Sequence, residues 1–182
     1  MSFLKSMRTK LIVLLLAIFA FGAIGLFLYT KVTASAKQKA NMDIAKCYVS
    51  KCTEIYWDFH DFMALKEIPH SIGYLRKVER VTLDLPELVD AKNLKCLSYL
   101  RYLNISSTGI HNFDFLNDML RLEGLSIQSN KFNDFSVIQS TNIRNLNIMS
   151  SALDSLSGVE RLVGLESIVL SCENLSNRSP LR

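Results

Sequence analysis

Apolar residues recur along this chain with a long, regular period. Leu100-Arg-Tyr-Leu103-Asn-Ile105 shares its spacing with Leu122-Glu-Gly-Leu125-Ser-Ile127, Ile143-Arg-Asn-Leu146-Asn-Ile148 and Leu165-Glu-Ser-Ile168-Val-Leu170, and Val78-Glu-Arg-Val81-Thr-Leu83 extends the series backwards. The units start at 78, 100, 122, 143 and 165, with spacings of 22, 22, 21 and 22 residues. Apolar positions at offsets 3 and 5 alternate with polar ones, which predicts a short strand with one buried face. Leu88, Ile110, Phe132, Leu153 and Leu175 occupy offset 10, and further apolar residues follow in steps of three. That step suits a tight 3₁₀ return across the other side of the core. One such unit cannot bury its apolar edge alone, so neighbours must stack to close the core. Phe113, Phe115, Phe132 and Phe135 concentrate aromatic bulk on the return side, where they are read as core filling.

A different pattern precedes the repeats. Leu11 to Tyr29 is a run of 19 residues without a charge, flanked by Lys10 and Lys31. As a helix it would be about 28 Å long, close to the thickness of a bilayer's hydrocarbon layer. It predicts a single N-terminal transmembrane helix that acts as a signal-anchor, with the two lysines reaching to the interfaces. The competing reading is a cleaved signal peptide, because Ala34-Ser35-Ala36 has the small-x-small form of a cleavage site. Lys5, Arg8 and Lys10 crowd the first ten residues, which predicts a cytoplasmic N-terminus and an extracytoplasmic (periplasmic or extracellular) bulk.

The L-x-x-L-x-L-x-x-N-x-L pattern over residues 78–175 resembles the leucine-rich repeat family, and its period is most similar to the bacterial internalin-type or SDS22-like repeats. The resemblance implies an α/β fold: a right-handed solenoid with a parallel concave sheet, serving as a protein-binding module. The family's Asn position holds Pro86, Thr108, Asn130, Ser151 and Glu173. Only Asn130 conforms, so the polar ladder that joins neighbouring coils is expected to be incomplete and the stability modest.

The chain accordingly divides into a basic tail (1–10), the transmembrane helix (11–29), a juxtamembrane linker (30–45), an N-terminal cap or degenerate repeat (46–77), about five repeats (78–175) and a tail (176–182). In the cap, Cys52, Ile55, Trp57, Phe62, Leu65 and Ile68 fit a degenerate first unit with a strand near 54–59. Alternatively, Ile44, Tyr48, Ile55, Phe59 and Phe62 line one side of a capping helix. Cys47 and Cys52, five apart, form a possible disulfide in an oxidising compartment. At the other end, Ile168, Leu170 and Leu175 are expected to border solvent, a possible edge for an oligomer or a partner.

Stacking places offsets 2, 4 and 6 in rows on the strand face. Row two is Arg80, Tyr102, Gly124, Asn145 and Ser167; row four is Thr82, Asn104, Ser126, Asn147 and Val169; row six is Asp84, Ser106, Gln128, Met149 and Ser171. The face is polar and almost uncharged, which suits adaptable hydrogen bonding to another protein. The candidate contacts are Arg80, Tyr102, Asn104, Gln128, Asn145, Asn147 and Met149. Row one alternates in sign as Glu79, Arg101, Glu123, Arg144 and Glu166, and reads as a device for register and solubility.

Composition narrows the function classes. Lys plus Arg number 21 and Asp plus Glu 17, but residues 1–36 hold four bases and no acid, leaving 17 of each sign. A neutral remainder argues against nucleic acid. Trp57-Asp58-Phe59-His60-Asp61 puts carboxylates beside an imidazole without an accompanying nucleophile motif. The sequence has no G-x-S-x-G, H-E-x-x-H or phosphate-binding loop. Neither enzyme activity nor a cofactor or metal is expected. The reading is a membrane-anchored binding protein. Its alternatives are a structural subunit of a membrane complex and a secreted form cut at Ala36.

Overall fold

In the computed structural model, residues 35–173 are described. The predicted span 11–29 and Leu175 lie outside them, and among the described residues no helix is long and apolar enough to cross a membrane.

The described chain opens with helix α1 (Ala36–Ser50), whose Ala, Lys, Gln and Met content favours a helix. Ala40, Ile44 and Cys47, spaced by four and three, make its buried stripe. Lys51 stops the helix in the left-handed region (φ 57°). There the amide of Cys52 donates to the carbonyl of Cys47 at 3.0 Å, the wrap that usually employs glycine. A Cys47–Cys52 disulfide closes the same turn, with Cα atoms 4.9 Å apart. Within the segment read as a linker (30–45), the helix begins at Ala36 and its first buried residue is Ala40. The lysines between the buried positions masked the stripe. The capping-helix alternative also needs correction: Tyr48 points to solvent and Ile55 belongs to a strand.

That strand is β1 (Glu54–Trp57), with Ile55 and Trp57 inward. Trp57 is fully buried, and its indole N–H donates to Asp43 Oδ2 at 2.7 Å, tying β1 to α1. Asp58 then caps the single-turn helix α2 (Phe59–Phe62) by accepting from the amides of His60 and Asp61 at 3.0 and 3.2 Å. The aspartate-histidine cluster of the sequence thus includes a helix-capping residue, and the His60 ring lies exposed on that of Phe59 at 3.9 Å.

Five further strands follow: β2 (Arg80–Asp84), β3 (Tyr102–Ser106), β4 (Gly124–Gln128), β5 (Asn145–Met149) and β6 (Ser167–Ser171). All six pair in parallel in sequence order, and the register aligns Arg80, Tyr102, Gly124, Asn145 and Ser167 in one row. Five 3₁₀ turns, at His70–Tyr74, Lys92–Cys96, Asp114–Asp118, Phe135–Val137 and Val159–Arg161, carry the chain back. The core lies between sheet and turns. Val81, Leu83, Leu103, Ile105, Leu125, Ile127, Leu146 and Ile148 enter it from the strands. Phe113, Phe132 and Phe135 enter from the returns, with edge-on ring contacts at 5.2 and 5.5 Å. In the 21-residue unit the missing apolar step is replaced by buried Ser140, whose hydroxyl donates to the carbonyl of Leu122 at 2.7 Å.

The family's Asn position is not where the described coils are chiefly joined. The polar positions joining the coils lie one residue earlier, at Ser107, Ser129 and Ser150, all buried. Ser107 Oγ donates to the Leu88 carbonyl at 2.9 Å and Ser150 Oγ to that of Phe132 at 2.6 Å. Their amides, with that of Ser129, donate to the following coil at 2.9–3.0 Å. A serine reaches a neighbouring backbone as well as an asparagine does when the coils lie close. Gly109 permits that approach, because a Cβ there would lie 2.5 Å from the Leu88 carbonyl oxygen.

Candidate functional site

Because the strands are parallel and in register, their outward residues form rows across the sheet. A trough of about 300 Å³ lies on this concave face. Arg80, Tyr102, Asn104, Asn145 and Asn147 all line it. Gln128 and Met149 sit on the same face in row six but outside the trough. Thr82, Gly124, Ser126, Ser167 and Val169 line it too.

Tyr102 dominates the trough. Its ring lies across the strand gap onto Gly124, where an added Cβ would come within 2.8 Å of Cδ1. The Arg80 guanidinium stacks over the same ring at 4.8 Å, a cation–π contact. The Tyr102 hydroxyl donates to Glu123 Oε2 at 3.2 Å. Arg101 grips Glu123 through two N–H donors at 2.8 Å each, and its other side faces Glu79 at 3.7 Å. The Arg101 hydrogen bonds hold the Glu123 carboxyl below the usual carboxylate range, with Tyr102 adding to the effect. The tyrosine is thus fixed on three sides before any partner arrives. That pre-organisation lowers the ordering cost of binding.

Two strands away, Asn147 Oδ1 is buried and accepts no hydrogen bond among the described residues. A buried acceptor without a partner is costly, and a donor from a ligand would relieve it. The site as a whole is a wall of amides and hydroxyls beside one clamped ring. It offers hydrogen bonds and, at one end, the Tyr102 ring with the Arg80 guanidinium stacked on it.

Beyond the rows that begin at Arg80, the sheet has a further strand, β1. Its outward residues, Glu54 and Tyr56, pair in register with Arg80 and Thr82 and extend the concave face by one strand. That Gly124 neighbours Tyr102 follows from the sequence, since the two sit 22 residues apart at the same offset.

The chain superposes on a leucine-rich-repeat protein of Leptospira interrogans with a TM-score of 0.52 and 19% identity, over 62% of this chain and 31% of that one. It also superposes on an internalin, InlF, of Listeria monocytogenes with a TM-score of 0.51 and 20% identity, over 61% and 32% of the two chains. The fold is a leucine-rich-repeat solenoid. No family model and no curated protein matches the sequence. Buried offsets and close coil spacing carry a leucine-rich-repeat core, whereas its surface residues are free to diverge. The matched part is under a third of each of those longer chains.

Proposed function

We propose that this leucine-rich-repeat domain binds another protein through its concave face, with Tyr102, Asn104 and Asn147 at the centre of contact. The observation that carries the reading is one trough lined both by the clamped Tyr102 ring and by Asn147, whose buried Oδ1 accepts no hydrogen bond among the described residues. The repeats belong to the 21–22-residue internalin-type class, a reading supported by the spacing and by the internalin neighbour. Residues 11–29 anchor the chain in a membrane with the N-terminus cytoplasmic. The Cys47–Cys52 disulfide supports an oxidising compartment for the domain.

A photoreactive benzoylphenylalanine in place of Ser126, at the trough's centre, is expected to cross-link a partner in native membranes. The same group at Lys131, outside the trough, is expected not to. Adding Tyr102→Ala and Asn147→Ala together should abolish the adduct; an undiminished adduct refutes the concave-face reading. Intact mass separates the retained anchor from a form cut at Ala36, the first residue of α1.

One observation favours the second reading, a structural subunit of a membrane complex. Ile168 and Leu170 of β6 are half-buried, whereas Leu146 and Ile148 of β5 are 2% and 0% exposed. If Ile168→Glu dissolves a complex that survives the double change at Tyr102 and Asn147, the structural role holds.

A further inference from the structure

A second recess lies away from the concave sheet. The C-terminal end of α1 and the chain around Tyr74 to Lys77 enclose a groove of about 380 Å³. Tyr48, Val49 and Tyr74 line it, yet they are 63%, 80% and 67% exposed. Large apolar side chains grouped in solvent mark an interaction surface more than a fold requirement.

Lys51, Arg76 and Lys77 share the lining, and no acid does. The acids closest in sequence are engaged elsewhere: Glu54 lies 3.3 Å from Arg80, and Glu79 lies 3.7 Å from Arg101. With the described residues, none of the three bases makes an ion pair. The groove is therefore apolar within and cationic at the rim, in a stretch of chain (residues 37–182) that carries 17 bases and 17 acids. Its wall is also preset. Lys51 is held in the left-handed region, and both the Cys52-to-Cys47 backbone hydrogen bond and the disulfide lock that turn.

We propose that this groove docks an acidic protein segment carrying an aromatic or branched apolar residue. The apolar side chain fills the space among Tyr48, Val49 and Tyr74, and flanking carboxylates meet Lys51, Arg76 and Lys77. Charge complementarity selects an anionic partner, and the concavity selects a peptide over a bilayer. A recess is filled by an inserted side chain, whereas a membrane surface engages protrusions. The proposal is independent of the concave-face reading.

The test uses the full chain in a nonionic detergent and a fluorescein-labelled peptide, Glu-Asp-Leu-Phe-Asp-Glu, read by fluorescence anisotropy. That peptide should bind about tenfold or more tightly than either Gln-Asn-Leu-Phe-Asn-Gln or Glu-Asp-Ser-Ser-Asp-Glu, since both charge and burial contribute. Reversal of all three bases (Lys51→Glu, Arg76→Glu and Lys77→Glu) should abolish binding. Lys51→Gly is the decisive single change, because glycine suits the left-handed turn and the fold is retained. Its loss of affinity, expected to be about threefold, reports the charge. Tyr102→Ala with Asn147→Ala should bind the peptide unchanged, so the two sites fail or succeed separately. Equal binding of the neutral peptide, or binding indifferent to the charge reversal, overturns the proposal. So does absence of peptide binding combined with flotation on phosphatidylserine vesicles that the reversal abolishes, which would assign the groove to a membrane surface.

Discussion

Two polar ladders cross the same coils, and they do different work. The outer one runs along the strand entrances as Glu79, Arg101 and Glu123, then Arg144 and Glu166. The side chains of Arg144 and Glu166 are each 61% exposed. The inner one runs just past the strand ends as Ser107, Ser129 and Ser150, each 2% exposed. The outer ladder has full charges and short contacts, but water screens it, and exposed ion pairs contribute little. The inner ladder has only hydroxyls and amides, but it satisfies backbone groups that water cannot reach. Location, more than charge, decides which ladder holds the coils together.

Removing the inner contacts gives the largest expected effect. Ser107→Ala with Ser150→Ala leaves the Leu88 and Phe132 carbonyls without their hydroxyl donors. Each loss costs about 1–3 kcal/mol, and the two sites lie two coils apart, so the costs should add. Urea unfolding should show a lower midpoint at an unchanged slope. If the double variant unfolds at the wild-type midpoint, the comparison between the ladders collapses.

Next in size is Gly109→Ala, which tests whether close coil approach underlies the inner ladder. The new Cβ would lie 2.5 Å from the Leu88 oxygen, the same oxygen that Ser107 Oγ reaches. Overpacking of this kind costs about 1–3 kcal/mol. The sharper expectation is non-additivity: once the coils are forced apart, Ser107→Ala should cost little more. Simple addition of the two single effects would show that glycine and serine act separately.

The contrast also explains what the sequence reveals. Strand register, the concave rows and the buried phenylalanines follow from a 22-residue period, because each buried offset must repeat for the coils to stack. The inner ladder lies one residue before the family's Asn position, at the serines that precede Thr108, Asn130 and Ser151. The signal was present: Ser107, Ser129 and Ser150 keep the period. Helix α1 was harder to see, because a terminal cap belongs to no repeat and buries only a narrow stripe. The trough was half legible. Rows two and four brought Arg80, Tyr102 and Asn147 to one face, but no periodicity tells that Tyr102 lies down on Gly124. That pose follows from side-chain volume and from Arg80 and Glu123 around it.

The smallest expected effect comes from the outer ladder and concerns acid. Arg101's hydrogen bonds lower the Glu123 pKa in the folded state, and the unfolded chain has the ordinary glutamate value near 4.5. A depressed carboxylate contributes stability that is fully present above the unfolded value and is lost as pH falls through the folded one. Glu123→Gln should therefore be slightly less stable than wild type at pH 7, by less than either serine change, and the gap should close as pH drops below the ordinary glutamate range. Added salt should shrink the gap at pH 7, because the pair is partly exposed, Arg101 to 45% and Glu123 to 24%. Urea midpoints at several pH values, with and without salt, measure both trends. A gap that persists in acid would mean that Glu123 acts through packing against Tyr102 rather than through its charge. The outer ladder would then belong to the trough's architecture and not merely to register.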